Sequence, residues 1–372
     1  MTSKERFQKA CQYDFPDRPP MIPLSAQTMV WEKLYRAYEI SIPGGFLPPD
    51  TPGFRYEGLD TTAHESFMCK VSEDFRRIEP KYIGPVLKTT EDGCWEGIWG
   101  EMNQWRRASD AYYAESVYLP YAGIDDIDTI QKLRFPSPDW YDYSGISDLC
   151  SRYEGFALVT GSAGSVDFIN GTAFSRGVQQ VLEDIALEDP VYLYIVQKRF
   201  EFYYEKIRRI LEAANGAIDL VFVGDDLGTQ VGPIINPKSF EKLLAPYYAK
   251  LFQMVHGFGA KTRMHSCGSV SKFIPIMIEM GLDILDAVQV DAVDMDIESL
   301  HARYYGKIMF SGSLSVQSLL PTKFPEQIVN EITKRKKLFS AGGILLGPSN
   351  IMQVDMPVEN FKLMVEEIHR VI

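Results

Sequence analysis

The sequence has few cysteines and none of the features of a secreted or membrane protein. Five cysteines, at positions 11, 69, 94, 150 and 267, are scattered over 372 residues. Thiols this sparse form no disulfide framework, which indicates a reducing compartment. No uninterrupted apolar run approaches the roughly 18 residues of a membrane span, and the charged opening, residues 1–7, lacks the apolar run of a signal peptide. We therefore expect a cytoplasmic protein without a membrane partner.

The sequence also has fewer basic than acidic residues. Lys and Arg number 38 against 50 Asp and Glu, for a formal net charge of -12 at pH 7. That balance disfavours nucleic-acid backbones and anionic lipid surfaces as partners. The composition is otherwise ordinary, with 45% hydrophobic and 24% charged residues. A chain of this length and composition can bury a large globular core.

Short apolar runs alternate with amphipathic stretches through most of the chain. The predicted strands are residues 21–26, 156–160, 220–223, 261–265, 284–288, 308–310 and 344–346. The predicted helices include residues 190–214, 237–258, 270–281 and 324–339. Strand followed by helix, repeated at this spacing, is typical of a parallel sheet covered by helices.

One further strand before residue 156 brings the count to eight, so we predict a single α/β domain spanning residues 1–372, folded as a (β/α)8 TIM barrel. The runner-up, an open doubly wound sheet, is disfavoured because no Gly-x-Gly-x-x-Gly motif opens a helix after a strand.

Residues from about 44 to 139 interrupt this alternation. The segment is rich in Pro, Gly and aromatic residues, and residues 81–99 read as a hairpin that turns at Glu91-Asp92-Gly93. We interpret the segment as an N-terminal hairpin and loop insertion over the barrel mouth. The alternative is a hairpin that only covers a sheet edge.

The strand 261–265 ends in the most informative stretch of the chain, His265-Ser266-Cys267. Residues two apart on a strand face the same way, so the His265 imidazole and the Cys267 sulfur should converge. An imidazole and a thiolate together suit zinc. Singly, each residue type is more often packed in a core than bound to a metal. His265 could instead act as a general acid or base, with Cys267 as a bystander.

A catalytic zinc usually has three protein ligands and one open position. Asp225 and Asp226 follow the strand 220–223 and point to opposite faces, so only one of them can face the barrel cavity. Asp226 is our candidate for the third ligand, although an acid at this point can also cap a helix or turn. Weaker candidates from the insertion are His64, Glu65 and Cys94.

Two amide side chains follow later strands. Gln289 and Asn350 lie beyond the predicted strands 284–288 and 344–346. Paired amide contacts from these two residues could orient a polar substrate, whereas the alternative is hydrogen bonding within turns and loops.

Several motifs, in this order and spacing, resemble the uroporphyrinogen decarboxylase superfamily. They are Glu5-Arg6 and Pro16-Asp17-Arg18-Pro19 near the start, Asp225-Asp226-Leu227-Gly228-Thr229-Gln230-Val231-Gly232-Pro233, His265-Ser266-Cys267-Gly268-Ser269-Val270, and Gly342-Gly343-Ile344-Leu345-Leu346-Gly347-Pro348-Ser349-Asn350-Ile351-Met352-Gln353. The resemblance implies a (β/α)8 barrel. The true decarboxylases of the haem pathway carry an Arg-Gln-Ala-Gly-Arg-Tyr stretch that this sequence lacks, so porphyrinogen decarboxylation is not expected.

Another branch that the chain resembles comprises cobalamin-dependent methyltransferases, in which a His-x-Cys pair and a further ligand hold zinc. In the thiol-methylating members the third ligand is a cysteine after the last strand, where this sequence has Gly347-Pro348-Ser349. The departure favours the O-demethylase-like members, which move a methyl group from a methoxylated, often aromatic, small molecule to the cobalt of a separate corrinoid protein.

By this resemblance His265, Cys267 and Asp226 hold Zn²⁺, Asp226 and His265 are catalytic, cobalamin resides only on the partner, and a homodimer is plausible. Two alternatives remain: a decarboxylase or lyase of the same superfamily that uses Asp226 and His265 without a corrinoid partner, and a catalytically inactive binding protein.

Overall fold

The computed structural model describes residues 1–42 and 61–371. The strands are β1 (Phe75–Arg77), β2 (Lys81–Tyr82), β3 (Trp95–Glu96), β4 (Met102–Ala108), β5 (Ala111–Tyr118), β6 (Tyr141–Asp142), β7 (Ala157–Val166), β8 (Leu220–Gly224), β9 (Lys261–His265), β10 (Ile284–Val288), β11 (Met309–Leu314) and β12 (Ile344–Pro348).

The helices are α1 (Ser3–Gln12), α2 (Thr28–Ala37), α3 (Thr61–Lys70), α4 (Ile127–Ile130), α5 (Ile146–Arg152), α6 (Asn170–Arg176), α7 (Val178–Leu187), α8 (Pro190–Ala214), α9 (Pro237–Leu243), α10 (Ala245–Gly257), α11 (Ile274–Glu279), α12 (Ile297–Tyr304), α13 (Pro325–Leu338) and α14 (Val358–His369). None of them, within the described ranges, has the length and apolarity needed to cross a membrane.

A curled parallel sheet forms the centre of the fold, with strand order β1-β7-β8-β9-β10-β11-β12. Side chains alternate between its two faces, as the pleat requires. On β8, Leu220 and Phe222 belong to the inner apolar cluster, whereas Val221 and Val223 pack in the larger cluster together with the helices. Both faces are therefore covered, which explains why the buried strands are nearly continuous apolar runs.

The segment around Met21 takes the eighth position, beside β12. The Ile22 amide donates to the Leu346 carbonyl (3.1 Å), the Leu346 amide donates to the Pro20 carbonyl (2.9 Å), and Met21 bridges Leu346 in parallel. Only isolated bridges form here, because the prolines at positions 19, 20 and 23 have no N–H to donate. The predicted eightfold barrel is confirmed, with seven strands in a continuous ladder and the missing early strand identified as β1.

Buried carboxyl groups join this first segment to β1. Asp74 accepts a hydrogen bond from the Met21 amide (2.8 Å), and Glu73 accepts one from the Leu24 amide (3.2 Å). Asp74 also pairs with Arg6 (2.6 Å) and Arg18 (2.7 Å). Side chains therefore supply the contacts that backbone groups make elsewhere around the sheet.

Glu73 should make the stability of the fold depend on pH. Burial raises the pKa of its carboxyl to about 8, so the folded protein holds a proton that the unfolded chain releases at lower pH. The associated stability is full below the ordinary carboxyl pKa and is lost as pH rises to about 8. We expect the free energy of unfolding to fall by at most about 1.4 kcal/mol per pH unit through this range.

Urea unfolding of the wild type and of Glu73→Gln, measured between pH 5 and pH 8.5, tests this expectation. Glutamine keeps an acceptor for the Leu24 amide but does not titrate, so the wild type should lose stability relative to Glu73→Gln as pH rises. A difference that stays constant across this range would contradict the assignment.

An antiparallel sheet of β3, β4 and β5 forms the insertion. Strand β5 contacts α2 and α6. Each of these helices follows the carboxyl end of a barrel segment, so the antiparallel sheet lies at the mouth of the barrel, where the insertion was predicted. Trp99 and Tyr121 of the insertion pack against Val191 and Phe202 of α8.

The predicted hairpin over residues 81–99 is only partly correct. The turn exists, since Thr89 bridges Trp95 and the Gly93 amide donates to the Thr90 carbonyl (3.0 Å). The strand at Lys81–Tyr82 pairs instead with Tyr141–Asp142, a partner about 60 residues away in sequence that local patterning does not reveal. The longest hairpin, β4 with β5, was not predicted, and the segment from 44 to 139 also contains the barrel strand β1. Residues 43–60 lie outside the described part of the chain.

Candidate metal centre

The ends of β8, β9 and β10 lie side by side, because Gly224 and Asp286 both align with His265 in the parallel ladders. Asp225 and Asp226, which follow β8, face opposite sides. The buried Asp225 carboxylate accepts from the amides of Phe168 (3.1 Å) and Ile169 (2.9 Å). It thus holds the start of α6, and burial raises its pKa well above the ordinary value. Asp226 is the acid that faces the carboxyl end of β9.

Asp226, His265 and Cys267 each bring one ligand atom into a group whose members lie within 4.8 Å of one another. His265 Nε2 is 3.2 Å from Cys267 Sγ and 3.8 Å from Asp226 Oδ1. The Cys267 amide donates to Asp226 Oδ1 (2.9 Å). The Asp226 side chain is 32% exposed, so the group is reached from solvent at the open end of the barrel.

Two glycines allow the loops after β8 and β9 to touch. A Cβ on Gly228 would lie 2.6 Å from the Cys267 carbonyl oxygen and 2.8 Å from the Ser269 amide. Gly268 has a φ of +76°, and a Cβ there would meet the Thr229 carbonyl at 2.5 Å. The backbones of the two loops can approach this closely because neither glycine has a side chain.

Gly228→Ala should separate these loops. We expect it to lower the free energy of unfolding by about 1–3 kcal/mol, as overpacking does, because backbone atoms face the added methyl group. Gly257→Ala is the matched control, since a Cβ at this helical position meets nothing within 4 Å. Urea unfolding of both variants tests the contact, and equal stabilities would contradict it.

Asp286 holds the His265 ring from the other side. His265 Nδ1 lies 2.9 Å from Asp286 Oδ2, and the Ser311 hydroxyl donates to Oδ1 (2.6 Å). Burial lowers the pKa of His265, but hydrogen bonds to Asp286 and Cys267 outweigh it, so the pKa lies well above the ordinary value.

The two amides predicted from the sequence have different surroundings. Asn350 Nδ2 donates to Cys267 Sγ (3.2 Å), which brings this side chain into the candidate centre. Gln289 accepts from the Gly268 amide (2.9 Å) and donates to Gln230 (3.3 Å). Both bonds of Gln289 are the loop hydrogen bonding that the sequence left as its alternative role.

The weaker ligand candidates lie elsewhere. His64 Nδ1 is hydrogen-bonded to the Tyr35 hydroxyl (2.9 Å), and burial lowers its pKa to about 4. Glu65 pairs with Arg76 (2.9 Å), and Cys94 sits in the hairpin turn beside Asp92. None of the three belongs to the group around His265.

Sequence reasoning assigned no role to three residues around the centre. Asp286 interrupts an apolar strand, which is an unusual place for an acid, and Arg263 precedes His265 by two residues on the same face. Both signals were available in the sequence. Asn170, which donates to Asp226 Oδ2 (2.7 Å), comes from a different βα unit, and no local pattern indicates it.

The donor set tests whether a metal could be held here. An imidazole, a thiolate and a carboxylate, converging at a solvent-accessible strand end, match the ligands of a catalytic zinc that keeps a position open for substrate. The bond from His265 Nδ1 to a carboxylate is the outer contact that zinc-binding histidines usually make. The residues present therefore fit Zn²⁺.

Comparison with known proteins gives one family match. Residues 167–371, which include all three residues of the candidate centre, match the sequence model of the family described as Uroporphyrinogen decarboxylase (URO-D). No curated protein shows significant sequence similarity to the chain.

Comparison with solved structures gives several matches. A methyltransferase from Methanosarcina mazei superposes with a TM-score of 0.64 at 15% identity, covering 99% of this chain and 98% of that one. D-psicose 3-epimerase from Clostridium cellulolyticum gives 0.37 at 11% identity, covering 68% and 92%. 3-Keto-L-gulonate-6-phosphate decarboxylase from Vibrio cholerae gives 0.28 at 10% identity, covering 62% and 80%. The first likeness extends over the whole length of both chains and concerns the fold.

Proposed function

Because this chain belongs to the uroporphyrinogen decarboxylase (URO-D) family, we propose that it is a zinc-dependent methyltransferase. In this proposal it moves a methyl group from a methoxylated, aromatic small molecule to the cobalt of a separate corrinoid protein. The observation that carries the proposal is the convergence of Asp226, His265 and Cys267 at the open end of the barrel. The full-length likeness to the fold of a Methanosarcina mazei methyltransferase is consistent with it.

Zinc bound by these three residues would supply a Lewis acid for the ether oxygen that carries the methyl group. The protein's own groups prepare the site for this role. Asp286 accepts from Nδ1 of His265 and leaves Nε2 free as a ligand. Asn170 donates to the Asp226 carboxylate. Asn350 donates an amide hydrogen bond to the Cys267 sulfur, which would stabilise a zinc-bound thiolate.

Asn350 and Gln289, the two residues predicted to contact the substrate, have different roles in this proposal. Asn350 lies against Cys267 and is the amide that we propose to contact the methyl donor. Gln289 is buried, and it holds the loop that carries Cys267 through the Gly268 amide. Asp226 and His265 are the proposed catalytic residues, because as ligands they would hold the zinc that supplies the Lewis acid.

We also propose that the barrel has no cobalamin of its own, acts in the cytoplasm and assembles as a homodimer. The aromatic class of donor follows from the family resemblance, and the antiparallel insertion has exposed aromatic rings that could contact such a donor. Its strand β5 carries Tyr113 and Tyr118, which are about half exposed, and tyrosine rings stack on aryl groups and exclude water.

A methyl-transfer assay tests the proposal. Purified protein with one equivalent of Zn²⁺ is mixed with 3-methoxybenzoate or 2-methoxyphenol and with free cobalamin in the Co(I) state as acceptor. We expect loss of Co(I) absorbance together with release of the phenol, and both should require zinc. Turnover of a carboxylated substrate with release of CO2 and no corrinoid would support a decarboxylase instead. Tight binding of cobalamin without any turnover would support a binding protein.

A further inference from the structure

Arg263 is a buried cation inside the barrel that no step of the proposed function uses. It lies on β9 two residues before His265, on the same face, and it is 3% exposed. Its guanidinium carbon lies 4.2 Å from the centre of the Phe222 ring, in a cation–π contact. The Phe222 ring in turn packs edge-on against the His265 ring, with their centres 6.5 Å apart.

We propose that Arg263 is a positioning residue for the candidate metal centre, which it reaches through Asp286. In this role it fixes the Asp286 carboxylate, and the carboxylate holds the His265 ring with Nε2 directed at Cys267 and Asp226. The inference rests on the zinc centre of the proposed function, but it concerns metal binding and not methyl transfer.

The contacts of Asp286 carry the argument. One carboxylate oxygen, Oδ1, accepts from Arg263 Nη2 (2.5 Å) and from the Ser311 hydroxyl (2.6 Å). The other oxygen, Oδ2, faces His265 Nδ1 at 2.9 Å. Two donors on Oδ1 set the orientation of the carboxylate plane, so Oδ2 has a fixed direction toward the imidazole. Without Arg263, Ser311 would be the one described donor left on Oδ1.

A purely stabilising role accounts poorly for this arginine. Its Nε and Nη1 atoms are buried and donate to no described group, and buried donors left unpaired cost stability. A buried ion pair is itself weak evidence for stability, because an apolar pair of similar volume often serves as well. Among the described residues, Arg263 donates a hydrogen bond only to the carboxylate that touches His265. Arrangements of this kind around a ligand affect metal affinity.

Metal binding by the full-length chain tests the inference. Arg263→Met keeps the length and much of the volume of the side chain while removing its charge and its donors. We expect the affinity for Zn²⁺, measured by competition with a chromophoric chelator, to fall about 10- to 100-fold. We also expect the visible spectrum of the Co²⁺-loaded variant to differ from that of the wild type, because the His265 ligand would no longer be held in one orientation.

Arg335→Met is the matched control. Arg335 is also a buried arginine whose Nε donates to no residue in the described part of the chain, but its ion pair is with Glu331 on α13. We expect this variant to bind Zn²⁺ as the wild type does and to keep the wild-type Co²⁺ spectrum, whatever it loses in stability. A loss of affinity shared equally by both arginine variants would indicate general destabilisation and would overturn the inference.

A second variant covers the case in which Arg263→Met does not fold, as judged by circular dichroism. Arg263→Lys keeps the charge but replaces the planar fork by a single ammonium, and its affinity should lie between those of the wild type and Arg263→Met. Folded Arg263 variants with wild-type affinity and spectrum would overturn the inference. A wild type that binds no Zn²⁺ would overturn it together with the zinc centre. A wild type that binds Zn²⁺ as expected but transfers no methyl group would overturn only the proposed function.

Discussion

Alanine in place of His265 or Cys267 is expected to abolish stoichiometric zinc binding and, with it, methyl transfer. Each substitution removes one of three ligand atoms that lie within 4.8 Å of one another. The loss of activity should exceed the roughly 10- to 100-fold cost of deleting an outer partner of a metal site. Zinc content by mass spectrometry and the rate of Co(I) loss are the two measurements.

Cys69→Ala is the control for these variants. Cys69 is an exposed free thiol on α3, and it lies outside the candidate centre, so zinc content and rate should match the wild type. Full activity in a folded Cys267→Ala variant would exclude the thiolate as a ligand. Wild-type zinc content with lost activity in His265→Ala would instead favour an acid–base role for the imidazole.

Loss of Asp74 is the substitution that we expect to destabilise the fold most. Its carboxylate is fully buried and pairs with both Arg6 and Arg18 while it also accepts from the Met21 amide. Asp74→Ala leaves two guanidinium groups buried with reduced compensation. Breaking a buried pair in this way costs about 3–5 kcal/mol, and the first barrel segment should detach from β1 more easily.

Urea unfolding of Asp74→Ala measures this effect. The control is Asp14→Ala, because Asp14 forms an ion pair with Lys9 in which the two side chains are 60% and 38% exposed. Exposed pairs contribute about 1 kcal/mol or less, so this variant should unfold close to the wild type. If Asp74→Ala lowers the free energy of unfolding by less than about 1 kcal/mol, the contacts of Asp74 are not what holds the first barrel segment to β1.

The sequence predicted the inner part of the candidate centre but not its surroundings. His265 and Cys267 could be paired because residues two apart at a strand end share a face, which is a local property of the backbone. Asp226 could be added because parallel strands end at one edge of a barrel. Asn170 could not be found in this way, because its bond to Asp226 depends on how the chain turns after β7.

The sequence by itself determined the class of fold. Apolar strands that alternate with amphipathic helices specify the local structure, and such elements bury their apolar surfaces when the strands form a parallel sheet and the helices cover it. Only the tertiary structure decided how the sheet closes. Prolines leave the segment at Met21 short of backbone donors, and the carboxyl groups of Asp74 and Glu73 complete the contact from β1. The tertiary structure also decided that Lys81–Tyr82 pairs with Tyr141–Asp142. It likewise decided that Asp286 contacts the His265 ring and that Arg263 contacts Asp286. These contacts join residues about 20 to 60 positions apart or lie across the sheet, so their geometry is set by strand register and packing, which hydrophobic periodicity does not encode.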